Sequence, residues 1–169
     1  MARRGDERVP GDVAVTGFDA RLEALGIVLP GPYPPHDPLD AVIVHGARAR
    51  TSGQLPRDQA GALVHPGVLG AGLTVEQGAT AARWCALNAL SVLRAELGSL
   101  DRIERVLTVL GFVASAPGFD QQPAVVDGAS RLLAQVFGAA GRHSRSAIGV
   151  AALPRGGAVE IEIEVALAS

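Results

Sequence analysis

With 169 residues, 15 basic and 17 acidic side chains and 4% aromatics, the chain fits one domain that hides about 70% of its unfolded surface. A net charge of −2 with no run of lysine or arginine argues against nucleic-acid binding, which needs clustered cations to displace counterions and usually stacking aromatics. No stretch approaches about 18 apolar residues, so no membrane-spanning segment is expected. Cys85, the only cysteine, cannot form an internal disulfide. Arg3-Arg4 leads into polar Gly5-Asp6-Glu7-Arg8, not an apolar signal core, so a cytoplasmic location is the expectation. The hydrophobic content of 48%, much of it Ala and Val, fits either a core of small residues or an apolar surface covered by other subunits.

Residues 1–17 are charged and carry Gly and Pro. A loosely ordered arm is expected over residues 1–20, then a single domain over 21–169. Phe18, Leu22 and Leu25 share one face of a short helix that Gly26 can end. The run Pro30-Gly31-Pro32-Tyr33-Pro34-Pro35, with Pro38 after it, forbids a helix or central strand and reads as a fixed loop. Ala41 to Ser52 reads as two short strands broken at Gly46, closed by Thr51-Ser52-Gly53-Gln54-Leu55-Pro56. Residues 57–73 are Gly-rich and show little pattern.

Thr74-Val75-Glu76-Gln77 is a capping box. It opens a helix whose apolar stripe (Val75, Ala79, Ala82, Ala86, Leu90, Leu93, Leu97) runs to a stop at Gly98. Trp84 and Leu87 flank that stripe. Ile103 to Ala114 is apolar on both faces, the pattern of a strand covered on both sides. A second helix spans Asp120 to Gly138, with Asp120 as N-cap, Pro123 in its first turn and Val125, Ala129, Leu132 and Val136 inward. The last 25 residues, Arg145 to Ser169, read as a β-hairpin: strand from Ser146 to Leu153, turn at Pro154-Arg155-Gly156-Gly157, strand from Ala158 to Leu167. In that last strand Val159, Ile161, Ile163, Val165 and Leu167 face one side, and Glu160, Glu162 and Glu164 the other. The economical fold is α+β, with two helices on one face of a mixed sheet and the other face left for a partner.

Several chemistries are set aside. No Gly-rich phosphate loop opens a helix, and no cysteine pair or histidine pair has metal-ligand spacing. His36, His45, His65 and His143 are scattered and read as loop or surface residues. Cys85, among apolar residues in mid-helix, reads as a small core residue. Three glutamates on one strand face usually mean a solvated face, and Arg145 at the strand's start reads equally as a local surface charge.

Against that reading stands a resemblance. The run from His143-Ser144-Arg145-Ser146-Ala147-Ile148-Gly149-Val150 through Leu153-Pro154 to Val159-Glu160-Ile161-Glu162 resembles the closing signature of the reactive-intermediate deaminase (RidA, or YjgF-like) family. Thr51-Ser52-Gly53-Gln54-Leu55-Pro56 is similar to its Ser-Gly-Gln segment. Ala86-Leu87-Asn88-Ala89-Leu90 falls on its first long helix, and Asp101 to Phe112 on its central strand. Val126-Asp127-Gly128-Ala129-Ser130 and Val136-Phe137-Gly138 resemble its longer bacterial branch. The resemblance covers about residues 22–167. It implies a chorismate-mutase-like fold, a homotrimer built round a central barrel, and clefts between subunits. It also implies hydrolysis of enamine and imine intermediates, such as 2-aminoacrylate, to 2-keto acids and ammonia without metal or organic cofactor. By the same resemblance Arg145 holds the substrate carboxylate and Glu160 positions or activates water, while Ser52, Gly53, Tyr33, Ala147 and Asp127 line the substrate site. A guanidinium suits the first role because its parallel donors fix a carboxylate's plane. A carboxylate beside water suits the second.

Three positions depart from the family. Gly31-Pro32-Tyr33 lies 19 residues before Ser52 instead of 13, a spacing that points to Leu39. Either an insertion preserves the role of Tyr33 or Leu39 takes it. An expected asparagine is Asp127, whose charge would weaken carboxylate binding. The family's cysteine two residues after the arginine is Ala147, which excludes cysteine chemistry there. If the last two strands form a hairpin, Arg145 lies opposite Ala166 and Glu160 opposite Ala151, roughly 20 Å apart. The two groups can then share one small substrate only across a subunit boundary. Rival readings are a relative recruited to a specialised biosynthetic step and a non-catalytic trimer that binds small carboxylates. An endoribonuclease fits the acidic composition least.

Overall fold

The computed structural model describes residues 16–33 and 35–169. Of the arm expected over residues 1–20, residues 1–15 lie outside the described residues. Helix α1 (Phe18–Ala24) begins inside the stretch expected to be arm. Its first residues are anchored: Phe18 sets its ring edge-on to Phe137 at 4.6 Å, and Asp19 accepts the Ser99 hydroxyl at 2.6 Å.

Strands β1 (Val42–His45) and β2 (Arg48–Thr51) turn at Gly46, whose φ of 58° suits glycine. Two short parallel strands, β3 (Val68–Leu69) and β4 (Gly72–Leu73), occupy the patternless Gly-rich stretch. Helix α2 (Val75–Leu97) carries the reciprocal capping box of Thr74 and Gln77 and ends at Gly98, φ 81°. Strand β5 (Ile103–Ala114), helix α3 (Gln122–Phe137) and strands β6 (Ser144–Val150) and β7 (Val159–Leu167) complete the fold. Asp120 is not the cap of α3; Gln121 takes that place without a side-chain hydrogen bond. Pro123 stands in the first turn, where its missing N–H has no partner to lose.

The sheet runs β1-β2-β7-β5-β6. The terminal hairpin does not form. β5 lies between β6 and β7, pairing parallel with one and antiparallel with the other. The reason is burial. β5 is long and apolar and belongs in the middle, whereas β6 carries Ser144, Ser146 and Gly149 and tolerates an edge.

Both long helices cover one face of the sheet. Val159, Ile161, Ile163 and Val165 are fully buried there, beside Val106, Val109 and Val113 of β5. Burying each such side chain stabilises the fold by about 1.5–3 kcal/mol. The other face is uncovered in the single chain. Leu110 and Phe112 of β5 are only half-buried, so the second cover read from the sequence is not supplied by the chain itself.

Helices α2 and α3 touch backbone to backbone at Gly128, where an added Cβ would lie 1.9 Å from the Ala79 carbonyl oxygen. No side chain can yield there, so the helices would have to part. Gly128→Ala is expected to destabilise the fold by about 3 kcal/mol or more, measured by urea unfolding. A loss under about 0.5 kcal/mol, as at a tolerant surface site, would contradict this packing.

Candidate functional site

The three glutamates of β7 part company. Glu162 meets Arg50 at 2.6 Å and Glu164 meets Arg48 at 3.2 Å, across the β2–β7 pairing. These two are the charged face that periodicity suggests, neutralised by a neighbouring strand. Glu160 makes no ion pair among the described residues. It is half-buried, and burial first, then the charge of Glu162, pushes its carboxyl above the ordinary range.

Ser52, Gly53 and Gln54 build the wall beside it. Gln54 exchanges both backbone hydrogen bonds with Ile161, at 2.9 and 3.1 Å, which continues the β2–β7 pairing past Thr51. Ser52 donates its hydroxyl to the Asp40 carbonyl at 2.6 Å and its N–H to Ala41 at 2.9 Å. A Cβ on Gly53 would fall 1.8 Å from Glu160 Oε1. The glycine of the Ser-Gly-Gln run is therefore the seat of the Glu160 carboxyl.

These residues enclose a cavity of about 290 Å³, lined also by Tyr33, Leu39, Arg57, Asn88 and Arg155. Tyr33 and Leu39 both reach it, so the longer loop brings the tyrosine in without displacing the leucine. The Tyr33 hydroxyl donates to the Asp58 carbonyl. Asn88, buried in α2, donates to the carbonyls of Trp84 and Arg57, each at 2.8 Å. Arg57 and Asn88 escaped sequence reasoning as site residues, since a lone arginine after a proline and an asparagine in an apolar helix have no diagnostic spacing. Cys85 is a core residue: its thiol donates to the Val159 carbonyl at 3.3 Å, and burial drives its pKa well up.

Arg145 lies elsewhere. It pairs in register with Val109 of β5, which is level with Ile163 of β7, and like them it points toward the helices. Its Nη1 donates to Asp127 Oδ1 at 2.8 Å and to the Ser130 hydroxyl oxygen at 3.0 Å, and Nη2 donates to the Pro123 carbonyl at 3.3 Å. Asp127 thus faces the arginine and offsets its charge, and Arg131 approaches the same carboxylate at 3.8 Å. Arg145 borders an open hollow with Ser130, Arg142 and His143. Ala147 follows on β6, half-buried toward the helices. The seven expected site residues therefore fall into two groups: Tyr33, Ser52, Gly53 and Glu160 in one cavity, Asp127, Arg145 and Ala147 at the β6–α3 edge. Three residues and two strand spacings separate Arg145 from Glu160, roughly 14 Å between Cα atoms, with side chains on opposite faces. The hairpin estimate of 20 Å falls with the hairpin, but the separation stands. Among the described residues no group of three or more His, Cys, Asp or Glu is arranged to hold a metal ion.

The family model described as "YjgF/chorismate mutase-like, putative endoribonuclease" matches residues 19–160. The chain belongs to this family. The protein TCP17 of Trypanosoma cruzi is 46% identical over 149 residues, 88% of this chain and 92% of the relative. The Agrobacterium tumefaciens protein Atu1372, described as of unknown function, superposes with a TM-score of 0.82 at 38% identity, over 90% of this chain and 94% of its own. A "putative endoribonuclease" of Shewanella oneidensis gives 0.85 at 33% identity, over 90% and 100%. The YjgF-like, chorismate-mutase-like architecture is thus common to family and chain. Among the described residues no helix is long and apolar enough to cross a membrane.

The raised Glu160 carboxyl has a consequence for stability. Its proton is held more tightly in the folded chain than in the unfolded one, so the ionised group costs stability above the folded pKa. That cost fades as the pH falls to the unfolded value near 4.3. Glu160→Gln is expected to raise Tm by about 1–3 °C at pH 8 and to leave it unchanged near pH 4. An equal gain at both pH values would show that Glu160 carries no such charge penalty.

Proposed function

We propose that the protein hydrolyses reactive imines, formed directly or from enamines such as 2-aminoacrylate, to 2-keto acids and ammonia. The proposed sites are clefts between the subunits of a homotrimer. The observation that carries this reading is the division of the charged groups. Glu160 is a half-buried carboxyl in a cavity, without an ion pair among the described residues, and Arg145 stands on the edge strand β6 beside its own hollow. One chain cannot bring both to a small substrate. Two copies can, if the β6–α3 edge of one meets the Glu160 cavity of the next, and the uncovered sheet face supplies a surface for such assembly.

In the proposed reaction an enamine first takes a proton at its terminal carbon and becomes an iminium. Water adds to the iminium carbon, forming a C–O bond, while Glu160 accepts a proton from that water. A carboxyl raised toward neutral pH is a better-matched base than an ordinary one. The same proton then passes to nitrogen, the C–N bond breaks, and ammonia leaves as the carbonyl forms and the hydroxyl gives its remaining proton to Glu160. Arg145 orients the substrate through the Nε–H and the Nη2 hydrogen left over from its contacts with α3. Asp127 fixes the guanidinium and tempers its charge, so carboxylate recognition rests on geometry more than on net attraction. This is the feature that favours the second reading, a relative recruited to a different imine.

The endoribonuclease activity named for relatives has less support in this chain. Arg48 and Arg50 on the uncovered face are paired with Glu164 and Glu162, which neutralises two of the cations that phosphates would need.

Imines of several amino acids, generated in situ by an amino-acid oxidase, provide the test. Wild type should accelerate loss of at least one imine over buffer. Glu160→Gln should lower kcat by about 10²–10⁴-fold, and Arg145→Ala should mainly raise KM while the oligomer persists. No acceleration of any imine by wild type would end the reading.

A further inference from the structure

The proposed reaction leaves Arg57, a cation of the Glu160 cavity, without a task. Arg57 lines that cavity and is half-buried. Its guanidinium lies over the Tyr33 ring, 5.1 Å from the centroid. Its carbonyl is held by the Asn88 amide at 2.8 Å, and Asn88 is itself buried. Tyr33 is anchored in turn through its hydroxyl on Asp58. Both ends of Arg57 are therefore fixed, the backbone on α2 and the head on an aromatic face.

Among the described residues Arg57 makes no ion pair with a carboxylate, in contrast to Arg48, Arg50 and Arg145. A half-buried, pre-positioned guanidinium without an acidic partner is costly in an empty cavity and favourable when an anion arrives. Tyr33 offsets part of that cost by a cation–π contact without consuming the N–H donors. Arg155 borders the same cavity from an exposed turn and adds to its positive potential, while Glu160 supplies the opposing charge. Arg145, by comparison, has already spent donors on Asp127, Ser130 and Pro123.

We propose that Arg57 is a second anion receptor, and that the preferred substrates are imino acids with a further carboxylate on the side chain. The inference rests on the imine-hydrolase reading for the catalytic step. Arg145 of a neighbouring copy takes the carboxylate next to the reacting carbon, Glu160 the water, and Arg57 the distal carboxylate. A cavity of about 290 Å³ has room for a five-carbon dicarboxylate.

The test compares equilibrium binding of two keto-acid products, 2-oxoglutarate and 2-oxobutyrate, to the full-length protein. Hydrolysis of the corresponding imines is measured alongside. Wild type should bind 2-oxoglutarate about tenfold more tightly, and rising salt should erode that advantage. In Arg57→Ala the ratio should collapse toward one through loss of 2-oxoglutarate affinity, and Arg57→Lys should restore part of it. Because Asn88 is held by the backbone of residue 57, both variants should fold, which thermal unfolding checks; Arg57→Gln serves if one does not. Equal affinities in wild type, no binding of 2-oxoglutarate, or a preference that survives Arg57→Ala would overturn the proposal. If the preference depends on Arg57 but no imine is hydrolysed, the anion site stands and the hydrolase reading falls. If imines are hydrolysed without discrimination, the reverse holds.

Discussion

The two-residue period of β7, fixed by its place between β2 and β5, is the constraint on which the rest depends. Odd positions must bury apolar side chains beneath α2 and α3, and a one-residue slip would turn every one of them to solvent. That requirement alone sends Glu160, Glu162 and Glu164 to the other face. Position along the strand then decides their fates. Glu162 and Glu164 lie within diagonal reach of the arginines of β2 and are neutralised. Glu160 lies beyond the last of those arginines, against Gly53, where it makes no ion pair among the described residues and burial raises its carboxyl. A residue placed by core packing becomes the perturbed carboxyl of a cavity.

Much of the fold was legible because its signals are local. The Thr74–Gln77 capping box, the Gly98 stop, the turn at Gly46 and the alternation of β7 each depend on neighbours within a few residues. The terminal hairpin was misread because strand pairing is not local. A Pro-Arg-Gly-Gly turn between two strands looks the same whether they touch or admit a third between them. What separated β6 from β7 is the demand of β5 for burial, a property of the whole sheet. Asp120 failed as a cap for a smaller reason: α3 starts after Gln121, and a good capping residue one position early caps nothing.

The candidate site was half legible. The resemblance to a family supplied Glu160, Arg145 and the Ser-Gly-Gln segment, and the geometry adds a physical reason for Gly53. The contact of Asp127 with Arg145 turns a suspected mismatch into a defined ion pair. Arg57 and Asn88 lie on different elements and meet only through folding, so no spacing in the sequence could join them to Glu160. Tyr33 and Leu39, which sequence spacing set against each other, share the cavity wall.

In the proposed reaction a working site takes Glu160 from one chain and Arg145 from another. Subunit mixing tests it most directly. Arg145→Ala and Glu160→Gln, each strongly impaired alone at substrate well below the KM of Arg145→Ala, would be unfolded together, refolded as mixed oligomers and assayed for imine hydrolysis. Recovery of up to about a quarter of wild-type activity is expected, the fraction of interfaces in a random mixture that unite an intact Arg145 with an intact Glu160 across the boundary. Mixed oligomers with no recovered activity would contradict it.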